Sequence, residues 1–341
     1  MKLVCLSFTE SGGILGDKLE RLQSYNINHI KNSSIKKGSK SIMKKLWKEY
    51  DGIIFISATG IATRFIAPFI ENKTKDPAII VIDDKGKFII SLLSGHLGGA
   101  NKITEDISEE IDGIPVITTA SDSRGFDSID IFAKDNNYYM EDMKSITKLT
   151  SMMVNYKRIG FFTEDKQILN YPNIKVLDNL EDIGNHKKDI DGLIIVSSEI
   201  IDGKRLQKIP YTVLRPKNIN IGIGCRKDVE GKRIRSAVET ALSTVNISNK
   251  SINNIGTVEI KKDEKGIIHT AKYYNVPLKI FTIKDIEKVE GKFEKSQFVK
   301  DTIGVYSVSE PCAYLLGGNI ILPKFKYNGI TISVSKEENN G

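Results

Sequence analysis

Along the first 120 residues, short β-branched runs alternate with amphipathic stretches. Strand-like segments at 3–8, 52–57, 78–83, 87–92 and 116–119 are separated by helix-like ones at 14–24, 40–50, 61–70 and 100–111, with a turn at 84–86. Such alternation is what βαβ units produce, so this part of the chain predicts an open, mostly parallel, doubly wound sheet. The runs IIFIS and AIIVID are apolar on successive residues, which requires cover on both faces of that sheet.

The pattern changes after residue 128. Two helical stretches and strand-like runs at 158–163, 174–177 and 193–198 predict a small α/β middle domain, 129–216, rich in Asp, Asn and Lys. The dipeptide Arg215-Pro216 marks its end, because the residue before a proline is pushed out of helical geometry. A C-terminal α/β domain, 217–341, follows. It opens with a strand at 218–222 and a helix at 229–242 whose Ile234, Val238, Ala241 and Leu242 share one face. Further strands are expected at 257–261, 278–282 and 329–334, with a helix near 311–316. The division is thus 1–128, 129–216 and 217–341.

Composition narrows the class. With 341 residues, 40% of them hydrophobic, the chain can bury two or three cores. No apolar stretch approaches the ~20 residues of a membrane span. The first residues lack the long apolar segment and small-residue cleavage site of an export signal, so a cytoplasmic protein without membrane contact is expected. Cys5, Cys225 and Cys312 stand far apart, with no CxxC pair and no histidine at ligand spacing. Neither a disulfide framework nor a metal site is encoded, and a reducing compartment fits. A formal charge of +7 and a pI near 9.0 invite a nucleic-acid reading. Only nine of the 50 basic residues are Arg, however, and no aromatics interleave with the Lys-rich segment 31–48 as a stacking platform would need. A small polycarboxylate ligand explains the same charge.

Candidate chemistry gathers at strand ends, where open α/β sheets bind ligands. The window Ser94-Gly95-His96-Leu97-Gly98-Gly99-Ala100-Asn101 ends a strand and starts a helix. Its glycines allow close backbone approach, the first helical N–H groups are expected as free donors for an anion, and His96 can exchange a proton near neutral pH. A tight turn with a packed histidine would look the same. Thr59, Gly60 and Arg64 follow another strand, the arginine suited to hold a carboxylate; a solvated side chain is the alternative. Thr119, Ser121 and Asp122 offer hydroxyls and a carboxylate, or simply a turn. Asp83 reads as part of a hairpin turn. In the last domain, Gly222, Gly224, Cys225 and Arg226 lie between strand and helix, without the third glycine of a dinucleotide fingerprint. Glu310 stands at a helix start, as a catalytic carboxylate or as one that the helix dipole favours.

The run ATGIATRFIAPFIENKTKDPAIIVIDDKGKFIISLLSGHLGGANKITEDISEEIDGIPVITTASD resembles the N-terminal region of the cobalt-precorrin-5A hydrolase family. The segments INIGIGCRKD, IGTVEIKKDEKGIIHTAKYYNVPLKIF and SVSEPCAYLLGGNIILPKFKYNGITISVSK resemble that family's C-terminal domain. One departure is mild: relatives usually read TATD where this chain has Thr119-Ala120-Ser121-Asp122. The resemblance implies a hydrolase of anaerobic cobalamin synthesis. It would open the lactone of a cobalt-containing, ring-contracted tetrapyrrole and release acetaldehyde, giving cobalt-precorrin-5B. Water is the co-substrate, and cobalt belongs to the substrate, so no resident cofactor is expected. On that basis His96 and Glu310 are the expected catalytic pair, with an oxyanion held by loop 95–99. Arg64, Arg226 and Lys261 would attract the acetate and propionate side chains of a ligand lying between the N- and C-terminal domains. A non-catalytic tetrapyrrole carrier and a nucleotide-dependent α/β enzyme are the rival classes. A homodimer is left open.

Overall fold

A computed structural model of the protein describes residues 1–31, 39–72, 74–119, 125–164, 166–180, 183, 189–206 and 209–338. The chain divides into two compact units, Met1–Ile131 and Phe132–Gly341.

The first unit contains β1 (Lys2–Ser7), α1 (Glu10–Leu19), β2 (Asn26–Lys31), α2 (Ser39–Glu49), β3 (Gly52–Ile56), α3 (Thr59–Ile66), β4 (Ala78–Ile82), β5 (Phe88–Leu93), α4 (Ala100–Ile111) and β6 (Ile114–Val116). Its six strands lie in the order β2-β1-β3-β4-β5-β6. Successive residues of the apolar runs serve opposite faces, as a pleated strand demands. Cys5, Ile54, Ile56, Ile80 and Ile82 pack with Leu19 of α1 and Ile103 and Ile107 of α4. Leu6, Ile53, Phe55, Ile79 and Val81 pack with Met43 of α2 and Ala62 and Ile66 of α3. The doubly wound sheet expected from the sequence is present.

One pairing differs from the rest. β4 and β5 are antiparallel, whereas all other neighbours in this sheet are parallel. The hairpin reverses β5 and β6, so the segments that follow them leave at the edge where β1, β3 and β4 begin. A Cβ on Gly98 would lie 3.4 Å from the Ala78 nitrogen at the start of β4, and one on Gly99 would lie 3.7 Å from Met1 Cε. The segments after β1 and β3 leave at the opposite edge, about 16 Å away along a five-residue strand. The expectation that the termini near Thr59, His96 and Thr119 meet at one edge is corrected accordingly: His96 and Thr119 share an edge, and Thr59 does not.

α5 (Ile129–Asp135) runs across the division between the units. The second unit then holds β7 (Tyr138–Met140), α6 (Met143–Val154), β8 (Ile159–Thr163), β9 (Ile174–Leu177), β10 (Gly192–Val196) and β11 (Tyr211–Pro216), forming a sheet in the order β7-β11-β10-β8-β9. It continues with β12 (Ile219–Cys225), α7 (Gly231–Thr244), β13 (Ile252–Val258), α8 (Lys265–Tyr274), β14 (Leu278–Phe281), α9 (Ile283–Glu287), α10 (Gln297–Ile303), α11 (Ser309–Leu316), β15 (Asn319–Tyr327) and β16 (Ile330–Lys336). These strands make a third sheet, β14-β13-β12-β16-β15.

Strand β12, INIGIGC, shows why its two faces differ. Ile219, Ile221 and Ile223 join Ile332 and Val334 in an apolar core with Ile234 and Val238 of α7 and Ile267 of α8. The alternate positions are small: Gly222 lies against the backbone of α11, and Gly224 faces Val308 and the Thr331 hydroxyl. A helix can approach a strand this closely only where side chains are missing.

The carboxyl edge of the middle sheet is occupied from within the same unit. After β8, Glu164 accepts hydrogen bonds from the Ser197 and Ser198 hydroxyls and from Lys336 Nζ at 2.7 Å. Ser248 donates to the Ser198 carbonyl at 2.8 Å, and Glu199 bridges Ile247 in antiparallel fashion. Burial pushes the Glu164 carboxyl up, but the hydrogen bonds from Lys336 and then Ser197 outweigh it and hold the group below its ordinary value. A lowered carboxyl contributes stability above its unfolded value of about 4.3, and that stability fades as pH falls through the folded value. Lys336→Met is therefore expected to cost about 2 kcal/mol at pH 7 and less at an acid pH below the folded value of Glu164, where the carboxyl no longer carries a charge for Lys336 to meet. Thermal unfolding at the two pH values checks it.

Candidate functional site

The glycine loop before α4 is a closed structure. Gly99 N–H donates to the His96 carbonyl at 3.0 Å, Ala100 N–H to the Ser94 carbonyl at 3.2 Å and Asn101 N–H to the Gly95 carbonyl at 3.0 Å. Three of the donors that the sequence offered for an anion, on Gly99, Ala100 and Asn101, are thus taken by the loop's own carbonyls. That part of the expectation is corrected. Ser94 holds a positive φ of 58° and Gly99 one of 84°, and a Cβ on Gly98 would meet the Ser94 Cβ at 2.5 Å. Asn101 accepts from Ser91 Oγ at 2.6 Å and donates to Thr119 Oγ1 at 2.9 Å, tying this loop to the end of β6. His96 is half-buried beside these groups. Ser121 and Asp122 lie outside the described residues.

The opposite edge offers freer donors. Ala58 is the N-cap of α3 and has no side-chain oxygen to give, so the first turn, with Thr59 and Gly60, is uncapped and exposed. Nothing lies within 4 Å of a Cβ on Gly60. Arg64 is exposed in the last turn of the same helix and enters no ion pair among the described residues. Open backbone donors at the start of α3 and an exposed guanidinium in its last turn thus belong to one short helix.

In the third sheet, Glu310 is 6% exposed in the first turn of α11 and receives a long hydrogen bond, 3.4 Å, from the Ser307 hydroxyl. Cys225 points to the other face, among the aliphatic residues under α7 and α8. Burial pushes its thiol up to about 11, with Lys261 opposing, so it is no thiolate at neutral pH. Lys261 is itself buried and pairs with Glu264 at 3.1 Å, which leaves it little charge to offer a ligand. Arg226 is exposed, lies across Gly329 and has no ion-pair partner among the described residues. Gly222 and Gly224 are buried between β12 and its neighbours, so the pair forms no phosphate loop.

Among the described residues, no group of three or more His, Cys, Asp or Glu side chains could hold a metal ion. No helix among them is long and apolar enough to cross a membrane.

Family comparisons assign all three parts of the chain. Residues 41–122 match "Cobalamin synthesis G N-terminal", residues 128–216 match "Cobalamin biosynthesis central region", and residues 219–335 match "Cobalamin synthesis G C-terminus". A cobalt-precorrin-5A hydrolase of Salmonella typhimurium is 34% identical over 301 residues, covering 87% of this chain and 85% of that protein. The chain belongs to the cobalt-precorrin-5A hydrolase family. A second member, from Priestia megaterium, is 31% identical over 303 residues, 86% of this chain and 80% of that protein.

Two features of this family member escaped the sequence reading. The edge of β2, NINHIK, is too polar to register as a strand, yet it carries His29 beneath α1. The stretch TESGG looks like a loop but starts α1, with Thr9 as the N-cap accepting from Gly12 N–H. Thr9 followed by an acidic residue is the signal that could have found it.

Proposed function

We propose that this chain catalyses the reaction for which its relatives are named, opening the ring lactone of cobalt-precorrin-5A with water. The two-carbon unit then leaves as acetaldehyde, giving cobalt-precorrin-5B. One observation carries this reading: identity of 34% maintained over 87% of the chain, with the three family regions in order. Cobalt is part of the substrate. The three free thiols, Cys5, Cys225 and Cys312, support a reducing, cytoplasmic setting.

Two proton transfers are required. Ester opening needs a base for the attacking water, and carbon–carbon cleavage needs a base for the carbinol proton while the bonding electrons pass into the macrocycle, which is protonated in turn. His96 and Glu310 are the groups proposed to move these protons. The uncapped start of α3, with Thr59, Gly60 and Arg64, is proposed to hold substrate carboxylates in the first unit, and Arg226 in the second. Loop 94–99, with Asn101 and Thr119, forms a rigid frame that fixes His96.

The test is anaerobic incubation of the purified chain with cobalt-precorrin-5A and an aldehyde-trapping hydrazine. Acetaldehyde should accumulate in step with loss of the lactone. A carrier would bind the corrinoid and return it unchanged, and that result ends the proposal. The burial of Gly222 beneath α11 speaks against the nucleotide-dependent alternative.

A further inference from the structure

A second constellation lies at the carboxyl edge of the first sheet, at the point where β2 lies to one side of β1 and β3 to the other. Open α/β sheets bind ligands at such a switch point. Ser7 ends β1 there, and its Oγ lies 2.8 Å from His29 Nε2. His29 Nδ1 lies 2.9 Å from Asp17 Oδ1, and the other Asp17 oxygen accepts from Lys31 Nζ at 2.7 Å. Lys31, and then His29, hold the Asp17 carboxyl below its ordinary value, so it is ionised and can only accept. The neutral imidazole therefore carries its proton on Nδ1 and presents a lone pair at Nε2 to the Ser7 hydroxyl.

The ring has a prepared seat. A Cβ on Gly16 of α1 would fall 2.6 Å from His29 Cδ2 and closer still to Cε1 and Nε2, so only glycine admits the histidine at this depth. The His29 side chain is 1% exposed, which shields its two hydrogen bonds from water. Ser7 is also buried, but it lines a cavity of about 410 Å³ together with Phe8, Thr9, Gly13, Asp17 and Lys31. That volume suits a small ligand.

We propose that Ser7, His29 and Asp17 form an acyl-transfer relay acting on a carboxylic ester or lactone whose acyl group enters this cavity. Ser7 Oγ bonds to the carbonyl carbon while its proton passes to His29 Nε2. The carbon–oxygen bond to the alcohol then breaks, and the alcohol leaves with that proton. Water adds to the acyl-serine, again through His29, releasing the acid and restoring Ser7. Asp17 is a positioning residue that fixes the tautomer. His96 lies at the other edge of the sheet, so this relay does not draw on it, and the relay is testable without cobalt-precorrin-5A.

The test uses an alkyl fluorophosphonate on the full chain, followed by peptide mass mapping. The expected result is a phosphonyl adduct on Ser7 with loss of fluoride, absent in Ser7→Ala and formed at least about 100-fold more slowly in His29→Gln. Absence of an adduct on Ser7 in the unmodified protein overturns the proposal, as does an unchanged rate in folded His29→Gln. A preparation inert toward cobalt-precorrin-5A but labelled at Ser7 leaves the relay standing and removes only the hydrolase reading.

Discussion

Glu310→Gln is expected to reduce acetaldehyde release from cobalt-precorrin-5A by about 100-fold or more while leaving the fold in place. The two side chains are the same size, and among the described residues the carboxylate forms only a long contact with Ser307, so the exchange opens no cavity and breaks no strong bond there. What α11 loses is a favourable charge in its first turn, worth about 0.3–1 kcal/mol. A shift of a few degrees in melting temperature is the most that should follow. Turnover falls much further because an amide cannot exchange the proton. His96→Ala is expected to act in the same direction, and its separate measurement, with lactone opening and aldehyde release followed independently, shows which step each group serves. Wild-type rates in both variants would remove the pair from the chemistry.

Gly222→Ala is expected to be the most damaging small substitution outside that pair. Its Cβ would fall 2.6 Å from the Ala313 nitrogen and nearer still to the Ser309 carbonyl oxygen. Both obstacles are backbone, so no rotamer change relieves them, and α11 must rise from β12. Overpacking of this kind costs about 3 kcal/mol, which at this size lowers the melting temperature by roughly 6–12 °C. Glu310 would move with the helix, so activity falls too. Gly60→Ala is the contrast: nothing lies within 4 Å of the added methyl, and stability should hold or rise slightly. Equal melting temperatures for the two variants would show that α11 does not press on Gly222.

How much of this was legible in the sequence depended on how strongly each element was patterned. Runs such as IIFIS and AIIVID announced a buried sheet with cover on both faces, and the cores around Ile54 and Phe55 bear that out. β2 was missed because an edge strand of alternating Asn, Ile and His shows little hydrophobic contrast. β15 was missed as well, although Asn328 and Gly329, with φ of 46° and 81°, are the dipeptide that a tight hairpin requires. The segment expected as a strand at 257–261 instead begins at Ile252 and ends in a single turn containing Lys261, so the lysine meets Glu264. Site chemistry was harder to read, because the deciding facts are pairings between distant residues. Periodicity cannot show that the β4–β5 hairpin sends His96 to the far edge, or that the donors around Gly99 are already engaged.

Lys336 anchors the last strand of the chain into the rim of the middle layer, where Glu164, Ser197 and Ser198 close around its ammonium group. In most wound sheets that rim is the berth for a metabolite; here the polypeptide has moored the end of β16 to it. The second sheet is thereby committed to bracing β16, and a chain cut before residue 336 would lose that tether.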